Sequence, residues 1–274
     1  ITMKSKNTDK LLIDELRRIS VNAGNAILKE YKSDIKIEKK DDSSPVTNAD
    51  LISNEIINES LERLTPDIPV ISEENSNISY EKRKSWDRYW LIDPLDGTKE
   101  FIKKNGEFTV NIALIVFNEA QIGLINAPVM KNIFWGHKEH GAHMQNQNGT
   151  ITKLKVTKKI GNTRRIAISR SHKSGDLKKY LSKIKKYKEI GIGSSLKFCL
   201  VANGDADYYP RLGPTSEWDT AAGQAILESA GGSVLKLSGE PLKYNLKESF
   251  LNPSFFAINE RFDSYGLLKE VAQK

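Results

Sequence analysis

The sequence predicts an α/β (α+β) protein built as two lobes, and three observations carry that expectation. Apolar residues recur at helical spacing over roughly the first 64 positions, short apolar runs without that period follow between residues 70 and 127, and from about residue 160 strand-like and helix-like segments alternate. At 274 residues the chain is long enough to bury a substantial core. The expected division is an N-terminal α+β lobe over 1–158 and a C-terminal α/β lobe over 159–274.

Leu12, Leu16, Ile19, Ala23, Ile27 and Tyr31 lie on one face of a helix, so the first segment is expected to be a long amphipathic helix ending near Ser33. A charged, turn-rich break over 41–45 follows. Thr47 or Asn48 can then cap a second helix that runs through Ile57, Leu61 and Leu64 to the Thr65-Pro66 stop, with Asp50 in its first turn. The runs 70–71, 89–92, 108–117 and 121–127 are expected as strands of one sheet, the last two joined by a turn at Asn118 and Glu119. In the second half, strands are expected at 165–169, 206–209 and 233–237, and helices at 177–186, 195–202 and 218–230. A last helix is expected over 261–272.

Hydrophobic residues make up 38% of the chain and charged residues 28%, which excludes a disordered or low-complexity protein. No apolar run has the length of a membrane span, and the N-terminal stretch lacks the charged-then-apolar order of a secretory signal. With one cysteine, Cys199, flanked by Phe198, Leu200 and Val201, no internal disulfide can form. These features together predict a cytoplasmic protein. The formal charge of +7 comes from scattered lysines without interleaved aromatic residues, so it reads as a solvated basic surface that attracts small polyanions rather than as a nucleic-acid face.

The chemistry concentrates in Trp90-Leu91-Ile92-Asp93-Pro94-Leu95-Asp96-Gly97-Thr98, an apolar strand running into two carboxylates, a glycine and a hydroxyl. Asp93, Asp96 and the carbonyl of Leu95 can offer three oxygens to a hard cation such as Mg²⁺. Gly97 and Thr98 open a short segment whose backbone N–H groups can meet phosphate oxygens. An Asx turn in which both aspartates only cap backbone groups fits the same run. Glu73 and Glu74 stand directly after an apolar strand, as site residues do and as solvated surface acids also do. Asp219 follows Trp218 ahead of a small-residue helix, where it can ligate a metal or serve as an N-cap.

Taken in order, the Glu73-Glu74 pair, Asp93-Pro94-Leu95-Asp96-Gly97-Thr98 and the distant Trp218-Asp219 resemble the signatures of the inositol monophosphatase superfamily. The stretches 93–114, Ile192 to Cys199, and Tyr209-Pro210-Arg211-Leu212-Gly213-Pro214 are similar to its 3′(2′),5′-bisphosphate nucleotidase branch, and the resemblance runs from the first helix to Pro253.

This resemblance implies a layered αβαβα sandwich with the active site between the lobes. It implies two to three Mg²⁺ ions: one held by Glu73, Asp93 and the Leu95 carbonyl, a second by Asp93, Asp96 and Asp219, and a weaker third near Glu73 and Asp50. Thr98, assisted by Asp50 or Glu73, would orient and deprotonate the attacking water, with no covalent intermediate. His172, Ser194, Ser195, Lys197 and Arg211, together with Gly97, Thr98 and Asp219, would contact the substrate. His172 and Lys197 can also be ordinary surface groups, and Arg211 can pair with an internal carboxylate. The substrate implied is adenosine 3′,5′-bisphosphate, giving AMP and phosphate, or the related sulfate-donor nucleotide, in the setting of sulfate assimilation. Lithium sensitivity is a further implication. Inositol monophosphate or fructose 1,6-bisphosphate on the same fold, and a nucleotide-binding protein without turnover, are the alternatives. The sequence leaves open monomer or homodimer, and peripheral contact with the cytoplasmic face of the inner membrane. The chain has neither a Cys-x₅-Arg phosphatase loop nor a Walker loop.

Overall fold

The computed structural model describes residues 3–33, 37–39, 45–157, 161–171 and 174–259. The expected helix over 261–272 and the candidate His172 lie outside these residues. Helix α1 (Met3–Tyr31) buries the stripe of Leu16, Ile19, Ala23 and Ile27. A short antiparallel pair, β1 (Ile37–Lys39) with β2 (Pro45–Thr47), leads into α2 (Asn48–Leu64). The start of α2 is fixed by Asp50, whose Oδ2 accepts from the Thr47 N–H at 2.8 Å and its hydroxyl at 2.6 Å.

The next stretch builds a seven-stranded sheet. It comprises β3 (Val70–Ser72), the short α3 (Tyr80–Arg83), β4 (Arg88–Asp96), the short α4 (Thr98–Ile102), β5 (Thr109–Val116), β6 (Glu119–Ala127), β7 (Asn132–His137), β8 (Gly141–Gln145) and β9 (Ile151–Leu154). The strands lie in sequence order, β3 parallel to β4 and every later pair antiparallel. A second sheet of five strands uses β10 (Arg164–Ser169), α5 (Gly175–Ser182), β11 (Tyr187–Ile192), α6 (Leu196–Ala202), β12 (Tyr208–Arg211), a 3₁₀ turn (Glu217–Asp219), α7 (Ala221–Ser229), β13 (Ser233–Lys236) and β14 (Phe255–Ile258). Its order is β11-β10-β12-β14-β13.

Burial arranges these elements in five layers. On one face of the large sheet, Leu16, Ile57 and Leu61 of α1 and α2 pack with Trp90, Ile92 and Leu124. Between the sheets, Phe198 and Val201 of α6 and Ala225 and Ile226 of α7 pack with Leu91, Ile115 and Ile125 on one side and Phe255 and Ala257 on the other. Beyond the small sheet, Leu177, Tyr180 and Leu181 of α5 cover Ile166, Ile168 and Tyr208. The order is αβαβα. Each large apolar side chain so buried contributes about 1.5–3 kcal/mol relative to exposure, so the central layer, packed on both faces, holds the two sheets at a fixed spacing.

That spacing is unusually close at two points. A Cβ added at Gly123 would overlap the Ala222 carbonyl, and one added at Gly136 would lie 2.6 Å from the Ile226 Cα. Helix α7 therefore rests almost directly on the backbone of β6 and β7, which positions Asp219, two residues before its first turn.

Strands β7, β8, β9, β11 and β14 are not among the strands expected from the sequence. Strand β8 alternates Ala142 and Met144 with Gly141, His143 and Gln145 but is only five residues long, three of the four residues of β9 are exposed, and β11 is an edge strand carrying exposed Lys188 and Glu189. Apolar patterning marks half-buried strands, not edges. The helix expected over 218–230 starts instead with the 3₁₀ turn, and regular α7 begins at Ala221.

Candidate active site

The site begins where β4 stops being regular. Asp93 pairs with Asn111 and Asp96 with Thr109, so four residues oppose three and the strand bulges. Ser53 of α2 braces the bulge by donating to the Pro94 carbonyl at 2.7 Å. Asp93 is almost wholly buried; its Oδ1 accepts from the Leu95 N–H at 3.1 Å, while its Oδ2 has no hydrogen-bond partner among the described residues. Both sequence readings of this run are thus present in one residue: one oxygen makes an Asx-type contact and the other is left for a ligand. A buried carboxylate oxygen without a donor is costly unless a cation or proton meets it.

Two further acids converge on it. The Glu73 N–H, just past β3, donates to the Ile92 carbonyl at 3.2 Å, which fixes this residue beside β4. Asp219 closes the 3₁₀ turn, and its Oδ2 accepts from the Ser216 N–H at 2.8 Å. Glu73, Asp93 and Asp219 each offer an oxygen, and all three lie within 4.8 Å of one another. Glu74 is outside this group. The turn carrying Asp219 is held from behind, where the buried Glu217 carboxylate accepts the Asn245 N–H at 3.0 Å. The buried Arg83 guanidinium binds the Asn245 side chain and the Lys247 and Glu248 carbonyls.

The electrostatics of this cluster are those of a cation site. Burial raises the Asp93 carboxyl well above the ordinary carboxylate range, and Glu73, Asp96 and Asp219 push it further. Burial likewise lifts Asp219 to about 8, with Asp96 and Glu73 adding to it, and lifts Asp96 to about 6 against the opposing pull of Lys197 and the Ser195 N–H. Acids so placed are stable only when protonated or when sharing positive charge. The donor set is all oxygen, as Mg²⁺ requires. The orphaned Asp93 Oδ2 lies among these acids, and the residues present fit such an ion.

Next to the acids stands a hydroxyl relay. Thr98 Oγ1 donates to Asp50 Oδ1 at 3.2 Å and lies 3.4 Å from the Leu95 carbonyl. Gly97, which precedes α4, has φ +92°, and an added Cβ would sit 3.2 Å from both the Glu107 carbonyl and Ser194 Cβ. Only glycine takes this position without strain.

The opposite wall comes from the second sheet. The Ser195 N–H donates to Asp96 Oδ2 at 2.5 Å, and the Ser195 hydroxyl bonds Asn111 and Thr109 at 2.8 Å each. Ser195 is therefore engaged within the protein while bordering the pocket, as do Lys197 and Ser194, which has φ +45° and a hydroxyl 3.1 Å from that of Thr109. Lys197 is buried rather than a surface group. Its amine bonds the Ser194 carbonyl and lies 5.4 Å from the Tyr209 ring centre, and burial lowers it to about 8 against the attraction of Asp96. Arg211 donates to the Pro214 carbonyl at 2.5 Å. A second hollow, lined by Ser171, Ser174, Leu177 and Leu212, adjoins the first across Tyr209 and Arg211.

One brace of the pocket carries no sequence signal. Glu107 accepts from Arg170 at 2.7 and 2.6 Å and from the Gly193 N–H at 2.8 Å, so a residue just before β5 grips the ends of β10 and β11. Glu107, Arg170, Asn111 and Glu217 belong to no spacing that would single them out. By contrast Asp50, Glu73, Asp93, Asp96, Thr98, Lys197, Arg211 and Asp219, chosen from the sequence, border one cavity or its acidic floor.

Fold and cavity define the class: a five-layered αβαβα protein with an acid-lined cleft between two sheets and cations on the facing wall. The chain belongs to the inositol monophosphatase family, whose model matches residues 10–269. The 3′(2′),5′-bisphosphate nucleotidase CysQ of Escherichia coli O6:H1 is 47% identical over 246 residues, 89% of this chain and 98% of that protein. The crystal structure of CysQ from Bacteroides thetaiotaomicron is similar with a TM-score of 0.77 and 37% identity, over 88% of this chain and 95% of that one. An IMPase/NADP phosphatase complexed with Mg²⁺ and phosphate shares the fold, with a TM-score of 0.77 at 19% identity over 98% and 96% of the two chains.

Proposed function

We propose that this chain is a Mg²⁺-dependent 3′(2′),5′-bisphosphate nucleotidase that hydrolyses adenosine 3′,5′-bisphosphate to AMP and phosphate, and removes the same phosphate from the sulfate-donor nucleotide. The observation that carries the reading is Asp93 Oδ2, a buried oxygen without a donor among the described residues, amid Glu73, Asp96 and Asp219, which themselves line a pocket whose other wall is Lys197 and Arg211. Its likeness to the CysQ nucleotidases selects this substrate within the family.

Glu73, Asp93 and the Leu95 carbonyl would hold one Mg²⁺, Asp93, Asp96 and Asp219 a second, with Asp50 and Glu73 near a weaker third. When bound, these ions neutralise phosphate oxygens and acidify water. The protein's own groups supply the rest. Asp50 holds the Thr98 hydroxyl, so that its lone pairs face the cavity and orient the attacking water. The proton leaves toward the Asp50–Thr98 pair or Glu73 as the water oxygen bonds phosphorus and the bond from phosphorus to the ribose 3′-oxygen breaks. That oxygen departs with the bonding electrons and takes up a proton. Lys197 and Arg211 suit a second phosphate, and the hollow beyond Arg211 suits the nucleoside. A bisphosphate nucleotide uses both features, whereas a monophosphorylated inositol uses neither.

The test is phosphate release in saturating Mg²⁺ from adenosine 3′,5′-bisphosphate beside inositol 1-phosphate. The bisphosphate is expected to show the higher kcat/KM by at least about 100-fold, equivalent to roughly 2.7 kcal/mol. Equal or reversed preference refutes the substrate, and nucleotide binding without release refutes the enzyme.

A further inference from the structure

Two of the four histidines in the chain meet a carboxylate far from the catalytic cavity. His137 ends β7 and His140 lies three residues on, in a tight turn closed by the His140 N–H to the His137 carbonyl at 2.9 Å. The turn puts the two imidazoles on the same side, their centroids 4.3 Å apart and planes 24° from parallel. From α1, 128 residues earlier in sequence than His137, Asp9 reaches between them. Its Oδ2 lies 3.0 Å from His140 Nε2 and 3.9 Å from His137 Nε2. One ligand atom from each of the three falls within 4.8 Å of the other two, and all three side chains are partly exposed to solvent.

We propose that Asp9, His137 and His140 form a second metal site, selective for a borderline transition-metal dication of the Zn²⁺, Co²⁺ or Ni²⁺ type and separate from the carboxylate cavity. The argument is one of donor chemistry and reach. Two imidazoles and one carboxylate suit these ions, whereas Mg²⁺ favours all-oxygen sites and binds nitrogen poorly. Ligands at about 2.0–2.2 Å from a tetrahedral ion stand about 3.3 Å from one another. The present separations need only side-chain rotation to close to that value, because the backbone already delivers all three groups. Partial exposure gives an ion a route in and leaves the fourth position to water.

The resting hydrogen bonds set the sign of the pH dependence. His137 Nδ1 accepts from the Glu139 N–H at 3.1 Å, so the neutral ring carries its proton on Nε2, toward Asp9. An ion at Nε2 replaces that proton, the ring then carries its hydrogen on Nδ1, and the Glu139 N–H must turn to solvent. The neutral rings lose no net proton in this tautomer shift, and binding weakens in acid because a protonated imidazole must first release its proton to solvent. Asp9 is the link to the fold. Arg17, two turns further along α1, lies 4.6 Å above the Trp135 ring of β7 and bonds Gln145 of β8. An ion at Asp9 would add a second tether between α1 and this hairpin and stabilise the N-terminal turns.

The experiment uses the full chain stripped with EDTA, dialysed, and returned to millimolar Mg²⁺ so that the carboxylate cavity is occupied. Zn²⁺ is then titrated against a chromogenic chelator. One equivalent is expected, lost in the His137→Ala/His140→Ala double variant, weakened at least tenfold in Asp9→Asn, and retained in Asp93→Asn. The same equivalent should raise the thermal midpoint of the wild type and not that of the double variant. In parallel, Co²⁺ replaces Zn²⁺ in the wild-type chain, where visible ligand-field bands report nitrogen ligation without any mutation. Zn²⁺ bound equally by the double variant, Zn²⁺ lost in Asp93→Asn, no bound equivalent at all, or Co²⁺ without those bands each overturns the site.

Discussion

Asp93→Asn separates the fold from its metal chemistry, because it exchanges a carboxylate for a neutral group of the same shape. In the metal-free chain Asp93 is buried among Glu73, Asp96 and Asp219 and its pKa lies well above 3.8. A group raised in this way stabilises the folded state fully only below its unfolded pKa, and the benefit is lost as pH rises toward the folded value. Above that unfolded value the metal-free folded chain must either hold a proton the unfolded chain has released or bury an unpaired charge, a cost that grows by about 1.4 kcal/mol per pH unit up to the folded pKa. Asparagine removes that cost but leaves its amide without a partner where Oδ2 now stands, a penalty of about 1–3 kcal/mol. The metal-free variant should therefore be more stable than the metal-free wild type near pH 7 by about 1–3 kcal/mol, which is several degrees in thermal midpoint. The gain should vanish near pH 4. In Mg²⁺ the order should reverse, with turnover falling by at least about a thousandfold. Calorimetric melts in EDTA and in Mg²⁺, beside phosphate release, decide the matter. A metal-free variant that is no more stable at pH 7 than at pH 4, or one that turns over normally, refutes the reasoning.

Lys197→Ala and Arg211→Ala should each raise KM for the bisphosphate nucleotide by about 10- to 100-fold, the loss of one charge-assisted contact, with a smaller change in kcat; an unchanged KM removes them from the substrate contacts. The metal-free wild type should lose thermal stability progressively as pH rises above about 4, with the slope easing near about 6 and again near about 8 as Asp96 and Asp219 ionise, and Mg²⁺ should flatten that profile. Gly97→Ala should cost about 1–2 kcal/mol in chemical denaturation, because φ is +92° there, and should lower kcat by displacing Thr98. Glu107→Ala should cost about 2 kcal/mol, toward the low end for a broken buried pair because Arg170 is half exposed, and should raise KM by loosening Gly193 and Ser194.

The legible parts of the protein were those where a local rule and the global fold agree. The stripe from Leu16 to Ile27 could only be a buried helix face, and Asp50 was legible in the first turn of the helix capped by Thr47 or Asn48, its place in the site being implied only by the family resemblance. Glu73, Asp93 and Asp96 stand at the ends of apolar strands and Asp219 ahead of a small-residue helix, each with a plain structural alternative, and it was their order along the chain, similar to the family signatures, that joined them. What escaped was set by distant partners. Glu107 is an ordinary acid in sequence and becomes a brace only when Arg170 and Gly193 arrive from the other sheet. Strands β9 and β11 lack the alternation of half-buried strands because their pairing, not their burial, defines them, and β8 alternates over too few residues to stand out. Lys197 was a candidate substrate contact that could equally have been a surface lysine, and its burial became visible only once α6 was placed between two sheets.

The near-contact of α7 with Gly123 and Gly136 has a genetic reading. Any side chain at either glycine must lift the helix off β6 and β7, and Asp219 moves with it. Loss-of-function alleles should therefore arise at positions that never meet substrate, with wild-type charge in the cleft and its fourth acid out of reach. Suppressors that act by a smaller residue in α7 should be rare, because the atoms met are main-chain atoms of Ala222, Ala225 and Ile226, with the Ala225 Cβ beside Gly123 the one side-chain atom among them. Gly136→Val, followed by selection for regained phosphate release, should return same-site revertants, and frequent suppression by smaller residues at Ala225 or Ile226 would contradict the close approach.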